Sequence, residues 1–325
     1  MKILELENVS KRFVQPLDLA GKLARALGAD VADEVVHAVD GVSFAVNEGE
    51  VVGLVGESGC GKSTLGRMVA GILEPSAGRI RYRGKEAGCQ RGSLLQVQMI
   101  FQDPFASLNP RMRVRDIVGE APVVHGLVRK EELDDYLDGL LARCGLDPSY
   151  KPRYPHQFSG GQRSRIGIAR ALAVKPEFLV CDEAVAALDV SIQAQILNLF
   201  MQLRRDLALT YLFISHDLGV VEHLSDRVVI MYLGRVVESA PADEIFARAN
   251  HPYTQALLKQ VPRLETRKTQ FKPILGEIPS PLEPPSGCHF HPRCPHAMPR
   301  CREQAPALRE VAPGHLSACH LNERR

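Results

Sequence analysis

The sequence of 325 residues has little excess charge and no long apolar run. Its 40 basic and 38 acidic residues leave a formal net charge of +2, which gives no general reason to expect nucleic-acid binding. No stretch is apolar over the length needed to cross a bilayer. The first residues, MKILELENVSKRF, include acids and no long apolar segment, so we expect no signal peptide. These absences predict a soluble or peripheral protein of the cytosol.

The eight cysteines are unevenly distributed. Four are scattered, namely Cys60, Cys89, Cys144 and Cys181, and the other four are crowded near the end, namely Cys288, Cys294, Cys301 and Cys319. Because the cytosol keeps thiols reduced, a cysteine cluster there indicates metal binding rather than disulfides. Their spacing is looser than the C-x-x-C pairs of zinc ribbons. The alternative is a set of free thiols in a flexible tail.

Valine-rich segments alternate with helical patterns before residue 260. The predicted strands are ILELENV, VSFAV, EVVGLVG, FLVCD, YLFIS and RVVIMY, and RVVESA follows a Leu-Gly turn as the second arm of a hairpin. KSTLGRMVAGIL predicts a helix. Steps of three and four residues predict another, with an apolar face formed by Leu133, Tyr136, Leu137, Leu140, Leu141 and Cys144. The alternation indicates an α/β domain with a largely parallel sheet.

The composition of the sequence changes after Gln260. Prolines crowd between residues 273 and 299, and proline is poorly tolerated inside regular elements. We therefore predict an α/β domain over 1–270, helical over about 103–172, and a small loop-rich module without regular elements over 271–325. Residues 14–38, between the first two strands, are expected to contain an insertion of unknown role, with at most a short helix.

A glycine-rich segment between a predicted strand and a predicted helix fits the pattern G-x-x-x-x-G-K-[ST]. Its glycines allow backbone N–H groups to turn toward phosphate oxygens, and the helix N-terminus adds a favourable potential. Lys62 is expected to reach the β- and γ-phosphates, and the Ser63 hydroxyl to bind Mg²⁺. The predicted nucleotide-binding residues of this loop are Gly56, Glu57, Ser58, Gly59, Cys60, Gly61, Lys62, Ser63 and Thr64.

Two carboxylates end the apolar segment FLVCDE. Asp182 is expected to hold Mg²⁺ directly or through water, and Glu183 to polarise a water molecule beside the γ-phosphate. The alternative, an acidic cap on a strand, is less favoured because a phosphate loop precedes these residues in the same domain.

The segment FSGGQRSRIGIARAL lies between these two motifs, and Ser159-Gly160-Gly161-Gln162 in it matches the signature of the ATP-binding cassette (ABC) family. The chain resembles this family over nearly its whole length. The resemblance implies a P-loop nucleotide-binding domain with a mixed sheet and a helical subdomain. The departures from the family pattern, namely Phe158, Ala184 and Ala186, remove no catalytic group.

The resemblance also assigns roles to single residues. Gln102, in MIFQDP, resembles the Q-loop glutamine that senses Mg²⁺, and the resemblance makes it a third magnesium ligand beside Ser63 and Asp182. His216, in FISHDL, resembles the switch histidine at the γ-phosphate. Asp189 belongs to a segment that resembles the D-loop, and Phe13 resembles the aromatic residue that stacks on adenine. The implied catalytic residues are Lys62, Gln102, Glu183 and His216.

The start of the signature helix is a second predicted anion site, because Ser159 and two glycines offer a hydroxyl and unhindered N–H groups. In the family this site faces the phosphate loop of a partner. The resemblance therefore implies that ATP binds between this chain and a paralogous ATPase packed head to tail.

Four further segments resemble dipeptide, oligopeptide and nickel importers, in particular the second ATPase of the peptide importer pair. They are DPFASLNPRMRVRDIV, RYPHQFSGGQR, HPYTQALL and GEIPSPLEPPSGCHFHPRC. The resemblance implies a peripheral ATPase at the cytoplasmic face of the inner membrane, two membrane-spanning permease subunits and an extracytoplasmic substrate-binding protein. Nickel, glutathione and opines remain alternative substrates, and a soluble mechanical or regulatory ATPase is the alternative function.

The same importer resemblance bears on the four crowded cysteines. It favours a [4Fe–4S] cluster held by Cys288, Cys294, Cys301 and Cys319, with zinc as the alternative. His289, His291 and His296 are expected at the surface, with the alternative that one of them replaces a cysteine in a zinc site.

Overall fold

Two β-sheets and the helices around them make up the fold. The structure, a computed structural model, describes residues 1–17, 27, 33–86, 95–260, 274 and 276–324. Its strands are β1 (Lys2–Gln15), β2 (Glu34–Asn47), β3 (Val51–Val55), β4 (Ala77–Tyr82), β5 (Lys85–Glu86), β6 (Val97–Ile100), β7 (Phe178–Asp182), β8 (Thr210–Ser215), β9 (Arg227–Tyr232), β10 (Arg235–Pro241), β11 (Arg309–Ala312) and β12 (His315–Ser317). Its helices are α1 (Lys62–Val69), α2 (Val114–Val124), α3 (Leu133–Arg143), α4 (Gly160–Leu172), α5 (Val190–Leu207), α6 (Leu218–Leu224), α7 (Ala242–Arg248), α8 (Pro252–Leu258) and α9 (Pro299–Glu303).

The larger sheet has the strand order β11-β12-β10-β9-β3-β8-β7-β6. The five strands from β9 to β6 are parallel, and β10, β12 and β11 extend the sheet antiparallel. Strands β3, β7 and β8 are buried along their whole length, as expected for parallel strands covered on both faces. The predicted α/β class, the parallel sheet and the β9–β10 hairpin are confirmed.

The smaller sheet, β2-β1-β4-β5, is antiparallel. The first two predicted strands are longer than expected, because β1 runs to Gln15 and β2 begins at Glu34. Both ends of the predicted insertion over 14–38 are therefore strand. The predicted short helix falls in a segment whose residues 18–26 and 28–32 lie outside the described residues.

Helices α2, α3 and α4 share one hydrophobic cluster with the larger sheet. The predicted apolar face of α3 is confirmed, since Leu133, Leu137, Leu140, Leu141 and Cys144 are buried and Tyr136 packs beside them. All three helices lie within the predicted helical stretch. The outer limits of that stretch remain predictions, and the boundary at 270/271 lies outside the described residues.

The C-terminal tail, residues 276–324, contains regular structure that the sequence analysis did not predict. Strand β12 pairs antiparallel with β10, so the tail extends the larger sheet. Pro299 begins α9, a position where proline is well tolerated. The expectation that the prolines exclude regular elements is therefore wrong beyond residue 298. Within the described part of the chain, no helix combines the length and apolarity needed to cross a membrane.

Candidate nucleotide-binding and catalytic site

The phosphate loop joins β3 to α1 and packs closely against the backbone of Met231 and Ala38. A Cβ atom on Gly56 would lie 2.2 Å from the carbonyl oxygen of Met231, and one on Gly61 would lie 2.1 Å from that of Ala38. Gly61 also has a φ of 103°, a left-handed conformation that favours glycine. Close packing and backbone conformation together therefore require these two glycines.

Lys62 is the first residue of α1 and is buried inside the loop. Its ammonium group donates hydrogen bonds to the carbonyl oxygens of Gly56 at 2.7 Å and Glu57 at 3.0 Å. A buried cation needs such acceptors. The Cys60 thiol is also buried, and burial raises its pKa, which agrees with a packing role for this side chain.

Ser63 and Asp182 are brought together by α1 and the end of β7. The Ser63 hydroxyl donates a 2.8 Å hydrogen bond to Asp182 Oδ1. Burial raises the pKa of Asp182, and the nearby Glu183 carboxylate contributes in the same direction. A hydroxyl beside a carboxylate supplies the hard oxygen ligands that Mg²⁺ prefers, so this pair fits the predicted magnesium site.

Glu183 is held between two side chains from neighbouring loops. Its Oε2 accepts a 2.7 Å hydrogen bond from the amide of Gln102, and its Oε1 lies 3.3 Å from Nδ1 of His216. Its backbone has a φ of 48°, and its N–H donates to the carbonyl of Ile214. A non-glycine residue at positive φ is strained, and such strain concentrates at functional sites. Three predicted catalytic residues therefore meet here, and Gln102 contacts Glu183 directly.

The signature residues begin α4 and cap it. The Ser159 hydroxyl accepts from the N–H of Gln162, and the Gln162 side-chain oxygen accepts from the N–H of Ser159, which forms a capping box. A Cβ on Gly161 would lie 2.5 Å from Cγ2 of Ile192, so glycine permits α4 to approach α5. Among the residues described here, no hydrogen bond joins the signature to the phosphate loop.

The remaining predicted residues lie on β1, in the phosphate loop, in α1 and directly before α5. Asp189 precedes α5 as its N-cap, without a side-chain capping hydrogen bond. Phe13 is exposed on β1, with the Lys11 ammonium 5.4 Å from its ring centroid. Ser58 and Gly59 are exposed on the phosphate loop, and Thr64 lies in the first turn of α1.

Glu57 faces the tail, a contact that the sequence analysis missed. Arg293 donates two hydrogen bonds to its carboxylate, at 2.7 and 3.0 Å, across 236 positions of sequence. The backbone N–H of Glu57 donates to the hydroxyl of Tyr253 at 2.9 Å. Nothing in the local sequence pairs these residues. The one feature of the sequence that could have indicated this contact is Arg293, a basic residue in the segment HPRCP, which contains no acidic residue to pair with it.

The four tail cysteines are free thiols in one neighbourhood. The N–H of Cys288 donates to the carbonyl of Cys301 at 2.8 Å. Burial raises the pKa of Cys288 to about 11, with charge on Cys301, Cys319 and Cys294 acting in the same direction. In the described ranges, however, no group of three or more His, Cys, Asp or Glu residues is arranged to hold a metal ion. The arrangement therefore does not support the predicted metal centre.

His289 corrects a further expectation. It is buried rather than exposed, and its Nδ1 lies 2.9 Å from the carbonyl oxygen of Leu233. Burial lowers the pKa of this imidazole. The residue belongs to the contact between the tail and the β9–β10 turn, while His296 is exposed as expected.

Comparison with protein families agrees with this geometry. The ABC transporter family matches residues 39–186, and the C-terminal region of oligopeptide/dipeptide transporters matches residues 237–301. Among solved structures, CbiO1 of Clostridium perfringens, part of the ABC transporter complex cbiONQ, superposes with a TM-score of 0.61. It is 29% identical, and the match covers 76% of this chain and 91% of that one.

Two relatives from Bacillus subtilis (strain 168) match most of the chain. It is 50% identical over 328 residues to the oligopeptide transport ATP-binding protein AppF, which covers 98% of this chain and 97% of the relative. It is also 50% identical to YkfD, a putative oligopeptide transport ATP-binding protein, over 88% of this chain and 90% of the relative. The chain therefore belongs to the ATP-binding subunits of ABC transporters, in the branch that has the oligopeptide/dipeptide transporter C-terminal region.

Proposed function

We propose that this chain hydrolyses ATP to power the import of peptides through a membrane transporter. The observation that carries the proposal is the Glu183 carboxylate, held between Gln102 and His216 next to the Ser63–Asp182 pair. A carboxylate beside a magnesium site is suited to polarise the water that attacks the γ-phosphate. The strand–loop–helix unit at Lys62 forms the part of the site that binds the phosphates of ATP.

The nucleotide site works through this chain's own groups in the following way. Lys62 exchanges the carbonyl oxygens of Gly56 and Glu57 for phosphate oxygens, and the N-terminus of α1 stabilises their charge. Ser63 and Asp182 would hold Mg²⁺, which would offset charge on the phosphates. Glu183 accepts a hydrogen bond from the water that attacks the γ-phosphate. Gln102 and His216 keep the Glu183 carboxylate oriented. Phe13 stacks on the adenine ring.

The site is completed by a second ATPase subunit. Ser159, Gly160 and Gly161 offer a hydroxyl and N–H groups at the start of α4, and we infer that they bind the γ-phosphate of a nucleotide on the partner's phosphate loop, with Gln162 and Asp189 at the same interface. The partners are a paralogous ATPase packed head to tail, two membrane-spanning permease subunits and an extracytoplasmic substrate-binding protein. The chain then lies peripherally at the cytoplasmic face of the membrane.

The peptide substrate is supported by the names of the relatives, which are oligopeptide transport proteins. Uptake of labelled di- and oligopeptides by cells with and without the gene tests it. Loss of peptide uptake in the deletion strain, restored by the wild-type gene and not by Glu183→Gln, is expected. Normal peptide uptake with lost nickel or glutathione uptake would reassign the substrate. No membrane subunit copurifying with the chain would favour the soluble ATPase instead.

For Cys288, Cys294, Cys301 and Cys319 we propose a structural [4Fe–4S] cluster, with zinc as the alternative occupant. Four free thiols in one neighbourhood of the tail and the reducing compartment favour it. Against it stands the arrangement of the thiols, since the described residues contain no group of three or more metal-binding side chains placed to hold an ion. No step of ATP hydrolysis passes through the cluster. Iron, sulfide and zinc analysis of protein purified without oxygen tests the proposal. Stoichiometric zinc without iron would replace the cluster, and the absence of both would remove the metal.

A further inference from the structure

The first turn of the phosphate loop is anchored from outside by residues of the C-terminal part of the chain. All three polar groups of Glu57 are engaged. Its N–H donates to Tyr253, its carbonyl accepts from Lys62, and its carboxylate accepts from Arg293. The residue that follows Gly56 therefore has contacts with α8, with α1 and with the tail, and the contact with α1 is to a lysine expected to bind phosphate.

The Arg293–Glu57 ion pair has the geometry of a specific contact. Two guanidinium nitrogens reach two carboxylate oxygens, at 2.7 and 3.0 Å, and the Arg293 side chain is only 4% exposed. Such bidentate, buried pairs are stronger and more directional than surface ion pairs. The same guanidinium also approaches the hydroxyl of Tyr232 at 3.4 Å.

An aromatic cluster holds Arg293 in place. Phe290, three residues before it in the tail, is buried against Tyr232 and Tyr253, with ring centroids 5.2 and 5.3 Å apart. These two tyrosines are the same ones whose hydroxyls contact Arg293 and the Glu57 backbone. The tail and the phosphate loop thus share one packed unit.

From these contacts we infer that Arg293 is a positioning residue for ATP binding, which acts from the C-terminal tail by neutralising the Glu57 carboxylate beside the phosphate loop. The inference rests on the proposed assignment of the phosphate loop. Without Arg293, a partly buried carboxylate is left unpaired beside the site where phosphates bind. That charge repels the phosphates and attracts Lys62, which should then be less available to ATP.

The test measures the dissociation constant of a non-hydrolysable ATP analogue with Mg²⁺ for the full-length chain. Arg293→Gln is expected to weaken binding on the order of tenfold, a typical size for coupling between two sites. Glu57 belongs to the phosphate loop through its backbone N–H and carbonyl groups, which Glu57→Gln keeps. In Arg293→Gln/Glu57→Gln the unpaired charge is gone, so affinity should recover from that of Arg293→Gln to within about twofold of the wild type. Arg293→Lys, which keeps the charge, should lie between the wild type and Arg293→Gln.

Two controls separate this inference from its alternatives. Arg300→Gln removes an arginine of the same tail that pairs with Glu323 at the surface, and its affinity should equal that of the wild type. Lys62→Ala tests the phosphate loop, and undiminished binding there would overturn the loop assignment and the inference with it. If Lys62→Ala loses binding while Arg293→Gln does not, the inference alone is wrong. A loss in Arg293→Gln that Glu57→Gln fails to restore shows general damage to the tail, and this also overturns it.

Discussion

The amide of Gln102 donates a 2.7 Å hydrogen bond to the carboxylate of Glu183, and the two residues come from neighbouring strand ends. Gln102 follows β6, Glu183 follows β7 and His216 follows β8. These three strands are adjacent and parallel, so their carboxyl ends meet at one edge of the sheet. Ligands of open α/β sheets bind at this edge, and the three side chains therefore form one site.

This relationship predicts the effect of Glu183→Gln. The amide can still accept a hydrogen bond but cannot serve as a base, so the variant should bind ATP and lose turnover by about 10²–10⁴-fold, as expected for a general base. Nucleotide binding and phosphate release, measured on the same preparation, check this. Lys62→Ala is the matched control and should lose binding. Turnover at the wild-type rate in Glu183→Gln would remove this residue from the mechanism.

A second prediction concerns the attachment of the tail. Glu238 on β10 is fully buried and accepts hydrogen bonds from the N–H groups of Asn250 and His251 and from Nε2 of His315 on β12. Glu238→Ala leaves these donors unsatisfied, at a cost of about 1–3 kcal/mol each. The variant should unfold at lower temperature, and its tail should be cleaved faster by proteases.

The control for that variant is Glu310→Ala, which removes an exposed carboxylate that accepts the N–H of Gly314 in the same turn. It should unfold and be cleaved like the wild type. Equal protease sensitivity of the Glu238→Ala and Glu310→Ala tails would show that Glu238 does not hold the tail to the sheet.

A third prediction concerns pH. Burial of His251 lowers its pKa to about 4, and its Nδ1 accepts from the N–H of Tyr253. In the unfolded chain this histidine takes up a proton near pH 6.5, whereas the folded chain resists it. The contribution of neutral His251 to the free energy of unfolding is therefore fully present above about pH 6.5 and is lost as the pH falls toward 4. At pH 5 the loss is about 2 kcal/mol.

His251→Asn isolates this contribution, because asparagine keeps a capping acceptor for α8 and does not titrate. The difference in free energy of unfolding between wild type and variant, measured at pH 7 and at pH 5, should change by about 2 kcal/mol. Parallel pH profiles for the two proteins would show that His251 is not the titrating group.

The motifs that depend on neighbouring residues could be predicted from the sequence. The phosphate loop needs a strand, a glycine turn and a helix in immediate succession, and the segment around Lys62 contains all three. Buried parallel strands require continuous apolar runs, and FLVCD and YLFIS are such runs that form β7 and most of β8. The placement of Glu183 followed from the same logic, because a strand end fixes the position of the next residue.

Contacts between distant segments could not be predicted in this way. The prolines indicated an irregular tail because proline rules are local, whereas β12 forms by pairing with β10, an edge that only the folded sheet provides. His289 and Phe290 are buried by surfaces of the folded domain, and Arg293 meets Glu57 across 236 positions of sequence. No local pattern specifies such a partner.

The central claim is that ATP hydrolysis by this chain drives import in an assembled transporter. Its most direct test is ATP hydrolysis and peptide uptake in vesicles that contain this chain, its partner ATPase, both permease subunits and the binding protein. The account predicts slow hydrolysis by the isolated chain, faster hydrolysis on assembly, and uptake that stops with Glu183→Gln or without ATP. Full hydrolysis by the dilute isolated chain, independent of concentration and unchanged by the other subunits, would contradict it.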